Sequence, residues 1–321
     1  MGLAPSGPLV SIGIPTYNRR QMAMRAVKSA LSQTYANIEV IVSDDASTDD
    51  TIQYLSTIQD ERLAILRQTE NGGIAENYNA CLNAATGELF LMLNDDDWLE
   101  PTAIEKLSRP FCESVHGLDP RTVGMTWCPF TNVDAAGNPL WVSRGGPMVE
   151  SPVSFLEGLF NGNRGPICSA VMIRTSAGRV AGGYDNGNYG LSCDSATYGK
   201  AMLHYDHVVC IDELLVSYTI HTGNTTSLAA CRDWQLWINH QVDDFSAIAR
   251  ERGDYEWERR LLRCRKKVLA NITATVLMFS IGKPGWVSAF VKEFWRSREF
   301  MLTPFVVKRT LRDGWKLLRL R

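Results

Sequence analysis

Val10-Ser-Ile-Gly-Ile-Pro15-Thr16-Tyr17-Asn18-Arg19 is the stretch from which the fold is read. Val10, Ile12 and Ile14 alternate in a short apolar run that Pro15 stops, the pattern of a strand feeding a loop. Met22, Ala23, Ala26, Val27, Ala30 and Leu31 then recur at helical spacing, with Asn18 expected as the cap. The beat repeats. Ile38 to Val42 reads as a second strand, broken by Asp44-Asp45-Ala46-Ser47, and Ser47 with Asp50 resembles a capping box for the helix striped by Ile52, Leu55 and Ile58.

Leu63 to Leu66 (strand), Ile74 to Ala85 (helix, closed by Gly87) and Leu89 to Leu93 (buried strand) continue the alternation, and Pro101 suits the first turn of a helix through Ile104 and Leu107. Strands alternating with helices predict an α/β fold with a mainly parallel sheet and helices on both faces. In such sheets ligands collect where strands end, which singles out the loops at Pro15, Asp44 and Asn94. Beyond Pro110 the rhythm weakens into short strands, Val123 to Trp127, Val171 to Ile173 and Val208 to Ile211, among Gly-rich loops. From Ala230 onward the chain becomes charged and helical.

With 321 residues, 45% of them hydrophobic, the chain can bury a large core. Its formal charge of -2 gives no reason to expect nucleic acid as a partner. The charge is unevenly placed: residues 283–321 carry ten Lys or Arg against three Asp or Glu. Trp286, Phe290, Phe294, Trp295, Phe300 and Phe305 lie among those cations, a composition suited to peripheral contact with an anionic membrane surface. Eight cysteines without a CxxC pair predict free thiols in a reducing compartment, hence a cytoplasmic protein, at the inner face of a membrane if the tail binds there. The longest apolar stretch, Val268 to Gly282, contains Asn271 and falls short of a membrane span, and the N-terminus shows no basic segment followed by an apolar run.

Chemistry concentrates in the acidic loops. Asn94-Asp95-Asp96-Asp97-Trp98 puts three consecutive carboxylates at the end of an apolar strand, where their mutual repulsion calls for a cation. An isolated acidic triplet is more simply a solvated turn, and Asp-Asp-Ala-Ser before a helix is good N-cap chemistry. A lone His221 is more often a surface residue than a ligand, and Asp194 alone could be only a helix cap. What changes the reading is the ordered set.

Val10 to Arg19, Val42-Ser-Asp44-Asp45-Ala-Ser47-Thr48-Asp49, Asn71-Gly72-Gly73 with Asn79, Gly87-Glu88 and Leu93 to Pro101, followed by Gly182-Gly183-Tyr184-Asp185, Cys193-Asp194 and Tyr218-Thr-Ile-His221-Thr-Gly-Asn224-Thr-Thr-Ser227, together resemble the family-2 glycosyltransferases of GT-A fold. The resemblance covers about residues 8 to 228. It implies a catalytic domain over 1–228, with 8–110 binding the nucleotide-sugar and 111–228 the acceptor, and a helical extension over 229–321.

The resemblance also implies roles. Pro15, Thr16, Tyr17, Asn18, Asp44, Asp45, Asn71, Gly72, Asn79 and Asp95 are expected to hold the nucleotide, an acidic side chain accepting from a uracil or thymine N3. Asp96, Asp97 and His221 are expected to hold Mn²⁺ or Mg²⁺ against the diphosphate, and Asp194 to act as general base in an inverting transfer. The donor is then a UDP- or dTDP-sugar and the acceptor a glycan or lipid-linked hydroxyl, as in assembly of a bacterial-type surface polysaccharide. Three positions depart from the family pattern: Asn94 where the metal loop commonly begins with Asp, Cys193 where Glu commonly precedes the base, and Tyr78 where Arg often precedes Asn79. Two other functions compete. A sugar nucleotidyltransferase would show a Gly-rich, basic loop after the first strand, which Pro15-Thr16-Tyr17-Asn18 is not, and a non-catalytic sugar-binding protein on a transferase fold would tolerate Asn94 and Cys193.

Overall fold

The computed structural model describes residues 7–221, 231–265 and 268. Along the chain, β1 (Val10–Thr16), α1 (Arg20–Leu31), β2 (Ile38–Asp44), α2 (Thr51–Leu55), β3 (Leu63–Arg67), α3 (Ile74–Ala84) and β4 (Leu89–Met92) alternate as read from the sequence. Then come β5 (Trp98–Leu99), α4 (Ala103–Cys112), β6 (Val123–Trp127), β7 (Phe130–Val133), β8 (Pro139–Val142), β9 (Val149–Glu150), α5 (Pro152–Phe160), β10 (Val171–Arg174), α6 (Thr175–Val180), α7 (Asn186–Tyr189), α8 (Cys193–Met202), β11 (His207–Cys210), β12 (Val216–Thr219) and α9 (Cys231–Glu251). The residues form two compact units. Of the described residues, the larger comprises 7–155, Arg164–Asn186 and 193–221; the smaller comprises Leu156–Asn163, Gly187–Ser192, 231–265 and 268.

In the larger unit an eight-stranded sheet has the order β3-β2-β1-β4-β10-β6-β11-β9. Val10, Ile12 and Ile14 face one side and are fully buried with Ala23, Ala26, Val27 and Ala30 of α1, each large side chain contributing about 1.5–3 kcal/mol by leaving water. Gly13 faces the other side, where a Cβ would come 2.7 Å from the Cβ of Cys81 on α3. Helices therefore cover both faces, and the close approach of α3 requires glycine at that position.

The sheet is not simply parallel. β10 runs antiparallel to both β4 and β6, and β9 antiparallel to β11. β10 starts at the edge where β4 ends, so the turn before it, Cys168–Ala170, lands beside the Asn94 loop. A four-stranded sheet, β5-β12-β7-β8, begins at Trp98, and its β12 ends at Thr219, again at that edge.

Two expected caps are rearranged. Arg19, not Asn18, occupies the N-cap of α1; Asn18 adopts a positive φ of 52° and its Oδ1 accepts from the backbone N–H of Thr48 (2.8 Å) and Asp49 (3.2 Å). Ser47 does not box α2 with Asp50: its Oγ accepts from Asn18 N (2.8 Å), and Asp49 Oδ1 caps Thr51 N (3.0 Å). Both polar side chains tie the first two strand-terminal loops to each other, because those loops are adjacent in space although 29 residues apart in sequence.

The smaller unit is built on α9. Phe245 stacks on Phe160 with ring centroids 6.2 Å apart, Gln241 Nε2 donates to Ser192 Oγ (2.9 Å), and Arg260 pairs with Glu157 (2.6 Å). Gly190 (φ 47°) leaves the space that Trp237 fills, since a Cβ there would lie 2.0 Å from the indole. The basic stretch 283–321 and the Asn224–Ser227 motif lie outside the described residues. Among the described residues no helix is long and apolar enough to cross a membrane, and Cys81, Cys112, Cys128, Cys168, Cys193, Cys210 and Cys264 are free thiols.

Candidate active site

β1, β2 and β4 end side by side, with Thr16 opposite Asp44 in register and Leu93 N donating to Gly13 O (2.8 Å). Their parallel pairing delivers the Pro15, Asp44 and Asn94 loops to one sheet edge. Thr16 Oγ1 donates to Asp95 Oδ2 (2.8 Å), which joins the first loop to the third. Tyr17 beside it is exposed.

Three buried carboxylates converge here. Arg19 Nη1 donates to Asp95 Oδ1 (3.0 Å) and Asp96 Oδ2 (3.2 Å), and His221 Nε2 lies 2.9 Å from the same Asp96 oxygen. Burial raises Asp95 to about 6 despite the opposing charge of Arg19. Burial disfavours the Arg19 cation in turn, but the charges of Asp95 and Asp96 outweigh it and its pKa is raised. Arg25 donates to Asp96 O (2.7 Å) and Thr219 Oγ1 (3.0 Å) and lies 4.0 Å over the Trp98 ring, so it holds the loop's backbone rather than its carboxylates.

Asp97 is placed differently from its neighbours. It is fully buried, its Oδ2 accepts from Ser169 Oγ (2.6 Å) and its Oδ1 from Thr219 N (3.0 Å). Burial, then the Asp96 charge, raise its pKa well above the carboxylate range. Both oxygens are engaged inside the protein, so Asp97 anchors the loop to β10 and β12 instead of facing an open position beside Asp96. Among the described residues no group of three or more His, Cys, Asp or Glu side chains is arranged to hold a metal ion. The Asp96 carboxylate and His221 imidazole remain as a two-donor pair. That suits a small divalent cation that completes its shell with substrate phosphates and water.

Two residues expected at the nucleotide are likewise engaged. Asp45 accepts from Gly72 N (2.8 Å) and Gly73 N (3.0 Å), fastening the Asn71 loop to the end of β2. Asn79 exchanges both amide groups with the Tyr184 backbone (2.7 and 2.8 Å) and so shapes the Gly182–Tyr184 turn. Asp44 accepts from Ser47 N (3.0 Å) with one oxygen; its Oδ1 is buried without a hydrogen-bond partner. Asn71 and Gly72 are exposed at the rim. Asp45→Ala is expected to leave two N–H groups without their acceptor and to lower stability by about 2–4 kcal/mol, read from urea unfolding, with the Asn71 loop becoming protease-sensitive.

Asp194 lies in the first turn of α8, partly buried as a residue but with its carboxyl in interior surroundings. Burial raises it to about 6, against the hydrogen bond from Ser195 N (2.7 Å). Its charge acts on Tyr78, Cys168, Tyr184 and Tyr198, all pushed up by burial first. Cys168 feels Asp97 as well. Tyr78 donates to Asn94 Oδ1 (2.6 Å), and Asn94 N donates to Ser169 Oγ (3.1 Å). The Tyr78 and Asn94 departures are thus one contact, a neutral hydrogen bond between α3 and the acidic loop.

Arg19, Arg25, Ser169 and Thr219 were not singled out from the sequence. The two arginines had a legible signal, since three adjacent carboxylates at a strand end demand cations from the next helix. Ser169 and Thr219 had none; only the pairing of β10 and β12 brings them to Asp97.

Residues 11–143 match the family described as glycosyl transferase family 2. The chain is similar to Pasteurella multocida chondroitin synthase, 36% identical over 133 residues (41% of this chain, 13% of that protein). It is 42% identical over 96 residues (30% of this chain, 38% of that protein) to the Escherichia coli UDP-Glc:alpha-D-GlcNAc-diphosphoundecaprenol beta-1,3-glucosyltransferase WfaP. It therefore spans well under two thirds of the length of these relatives. Staphylococcus aureus TarS 1-349, solved in complex with UDP-GlcNAc, superposes with a TM-score of 0.60 at 15% identity over 90% of each chain. The mannosyltransferase PcManGT from Pyrobaculum calidifontis, solved with GDP-Man and Mn2+, gives 0.54 at 19% identity, covering 96% of this chain and 84% of that one. These two likenesses bear out the GT-A fold that the family resemblance implied. The segment that matches glycosyl transferase family 2 holds β1 to β4 and the acidic loop around which the site is assembled.

Proposed function

We propose that this protein is an inverting glycosyltransferase that moves a sugar from a UDP- or dTDP-sugar to a hydroxyl of a glycan or lipid-linked acceptor in the assembly of a surface polysaccharide. One observation carries the reading: at the edge where β1, β2 and β4 end, Thr16 Oγ1 holds Asp95 (2.8 Å) and His221 Nε2 meets Asp96 (2.9 Å), an acidic strand-terminal site suited to a nucleoside diphosphate and a divalent cation. Asp194, in the first turn of α8, is the carboxylate on a different element that can serve as base. Displacement at an anomeric carbon needs a base for the incoming hydroxyl on one side and charge neutralisation of the departing diphosphate on the other.

In this scheme Asp194 accepts the acceptor's hydroxyl proton. Asp96 and His221 would hold Mn²⁺ or Mg²⁺, which when bound supplies positive charge to the diphosphate. Thr16 positions Asp95 at the nucleotide, and the exposed Tyr17 lies at the mouth of the same loop. Of the acidic pair, Asp44 rather than Asp45 keeps an acceptor oxygen without a partner, and it is the candidate for a uracil or thymine N3–H. Asp97, Asp45 and Asn79 act as positioning residues.

The test is transfer by the full chain from UDP- and dTDP-sugars to glycan and diphosphate-lipid acceptors with Mn²⁺, following acceptor-dependent release of nucleoside diphosphate and the anomeric configuration of the product. Pyrophosphate release from a nucleoside triphosphate and a sugar 1-phosphate would make it a nucleotidyltransferase instead. Donor binding without turnover across the acceptor panel would leave a sugar-binding protein. A base must be deprotonated, so kcat/KM should fall about tenfold per pH unit below about 6 and level off above. A rate independent of pH between about 5 and 8 would remove Asp194 from that role.

A further inference from the structure

The acidic loop already carries a cation in this structure, and its placement assigns it a second task. Arg19 Nη1 sits between Asp95 Oδ1 and Asp96 Oδ2, and that Asp96 oxygen also faces His221 Nε2. A divalent cation held by Asp96 and His221 competes with the Arg19 guanidinium for that oxygen, and the two cations repel each other. Metal binding at Asp96 therefore weakens the hold of Arg19 there. The two aspartates are nearly closed to solvent, their side chains 7% and 10% exposed, whereas that of Arg19 is 31% exposed and has room to turn.

Where it turns is set by what the other cations are doing. Arg25 is bound to Asp96 O and Thr219 Oγ1 and stacked on Trp98, and Arg20 is paired with Asp50 (2.5 Å) and stacked on Tyr54. Helix α3, Ile-Ala-Glu-Asn-Tyr-Asn-Ala-Cys-Leu-Asn-Ala, carries no Lys or Arg, and its Tyr78 hydroxyl is engaged by Asn94. Arg19 is the N-cap of α1, a twelve-residue helix without an acidic residue of its own in the first turn; Asp49 and Asp50 of the neighbouring loop are engaged there by Arg20, which leaves Arg19 as the guanidinium able to meet a diphosphate.

We propose that Arg19 is an exchangeable counter-ion: in the donor-free protein it neutralises Asp95 and Asp96, and on loading it yields Asp96 to the divalent cation and binds the donor's diphosphate. This rests on the function proposed above and adds a residue and a sequence of events to it. Arg19 thereby hinders metal binding before the donor arrives and favours donor binding afterwards, so the metal and the donor enter together.

Opposite signs in two affinities test it. Mn²⁺ binding to the donor-free full chain is measured by electron paramagnetic resonance, and UDP and dTDP binding at saturating Mn²⁺ by calorimetry, for the wild type, Arg19→Gln and Arg19→Lys. Arg19→Gln should bind Mn²⁺ about tenfold more tightly without nucleotide and the preferred nucleotide about tenfold more weakly with Mn²⁺. Arg19→Lys keeps the charge without the fork and should lie between; its melting curve guards against a folding defect in the glutamine variant. Unchanged or weaker Mn²⁺ binding in Arg19→Gln, with a wild type that binds Mn²⁺ and nucleotide, overturns the exchange alone. A wild type that binds neither overturns the exchange together with the function on which it rests.

Discussion

Asp194→Asn should abolish turnover and, at the same time, raise the melting temperature at pH 8. Loss of a general base lowers kcat by about 10²–10⁴-fold, while donor binding, which this side chain does not serve, should stay within about twofold. The stability change follows from the raised pKa. A carboxyl at about 6 in the folded protein and 3.8 in the unfolded chain stabilises the fold when protonated; this contribution is complete below the unfolded value and lost as pH rises through about 6. At pH 8 the wild type holds a partly buried charge that asparagine removes. Discounted for the partial exposure of Asp194, the gain is on the order of 1–3 kcal/mol, a few degrees in Tm, and should disappear near pH 4. A variant that loses both activity and stability at pH 8 would identify Asp194 as a structural cap of α8 and not as a base.

Asp96→Asn and Asp97→Asn should separate two carboxylates that the sequence presents as equivalents. Asp96 is where Arg19 and His221 converge, so its amide should lose Mn²⁺-dependent nucleotide binding and about 10²–10³-fold in turnover, with the fold intact in the presence of a chelator. Asp97 has one oxygen on Ser169 Oγ and the other on Thr219 N; an amide keeps the Thr219 bond only by turning its NH₂ toward Ser169 Oγ, whose hydroxyl then loses its acceptor, and should cost about 1–3 kcal/mol of stability. Calorimetric titration with Mn²⁺ and nucleotide, beside urea unfolding, reads the two effects apart. If Asp97→Asn removed metal binding and left stability unchanged, the anchoring role assigned to Asp97 would be wrong.

The acidic loop shows why adjacent residues of one type were not resolved from sequence. Asp95, Asp96 and Asp97 share a chemistry and a strand end, and nothing in their spacing says which will be buried under β10. Asp44 and Asp45 repeat the case: the second is held by Gly72 and Gly73, so the first keeps the unpartnered oxygen. Asn18 and Ser47 were read as caps of the helices that follow them, because capping is the local use of such side chains. Their actual partners lie across the gap between two loops, a distance no local pattern records.

By itself the sequence determined the alternation of β1 to β4 with α1 to α3, the loops that follow β1, β2 and β4, and the resemblance to family-2 glycosyltransferases. These are short-range matters: apolar period, strand stops and motif order are written in consecutive residues. Tertiary structure alone decided that β10 runs antiparallel and brings Ser169 to Asp97, that β12 carries His221 to Asp96, and that Arg19 lies across the acidic loop. The physical reason is that pairing and register choose which distant side chains share a few ångströms, and at that separation burial and charge set what each carboxylate can do.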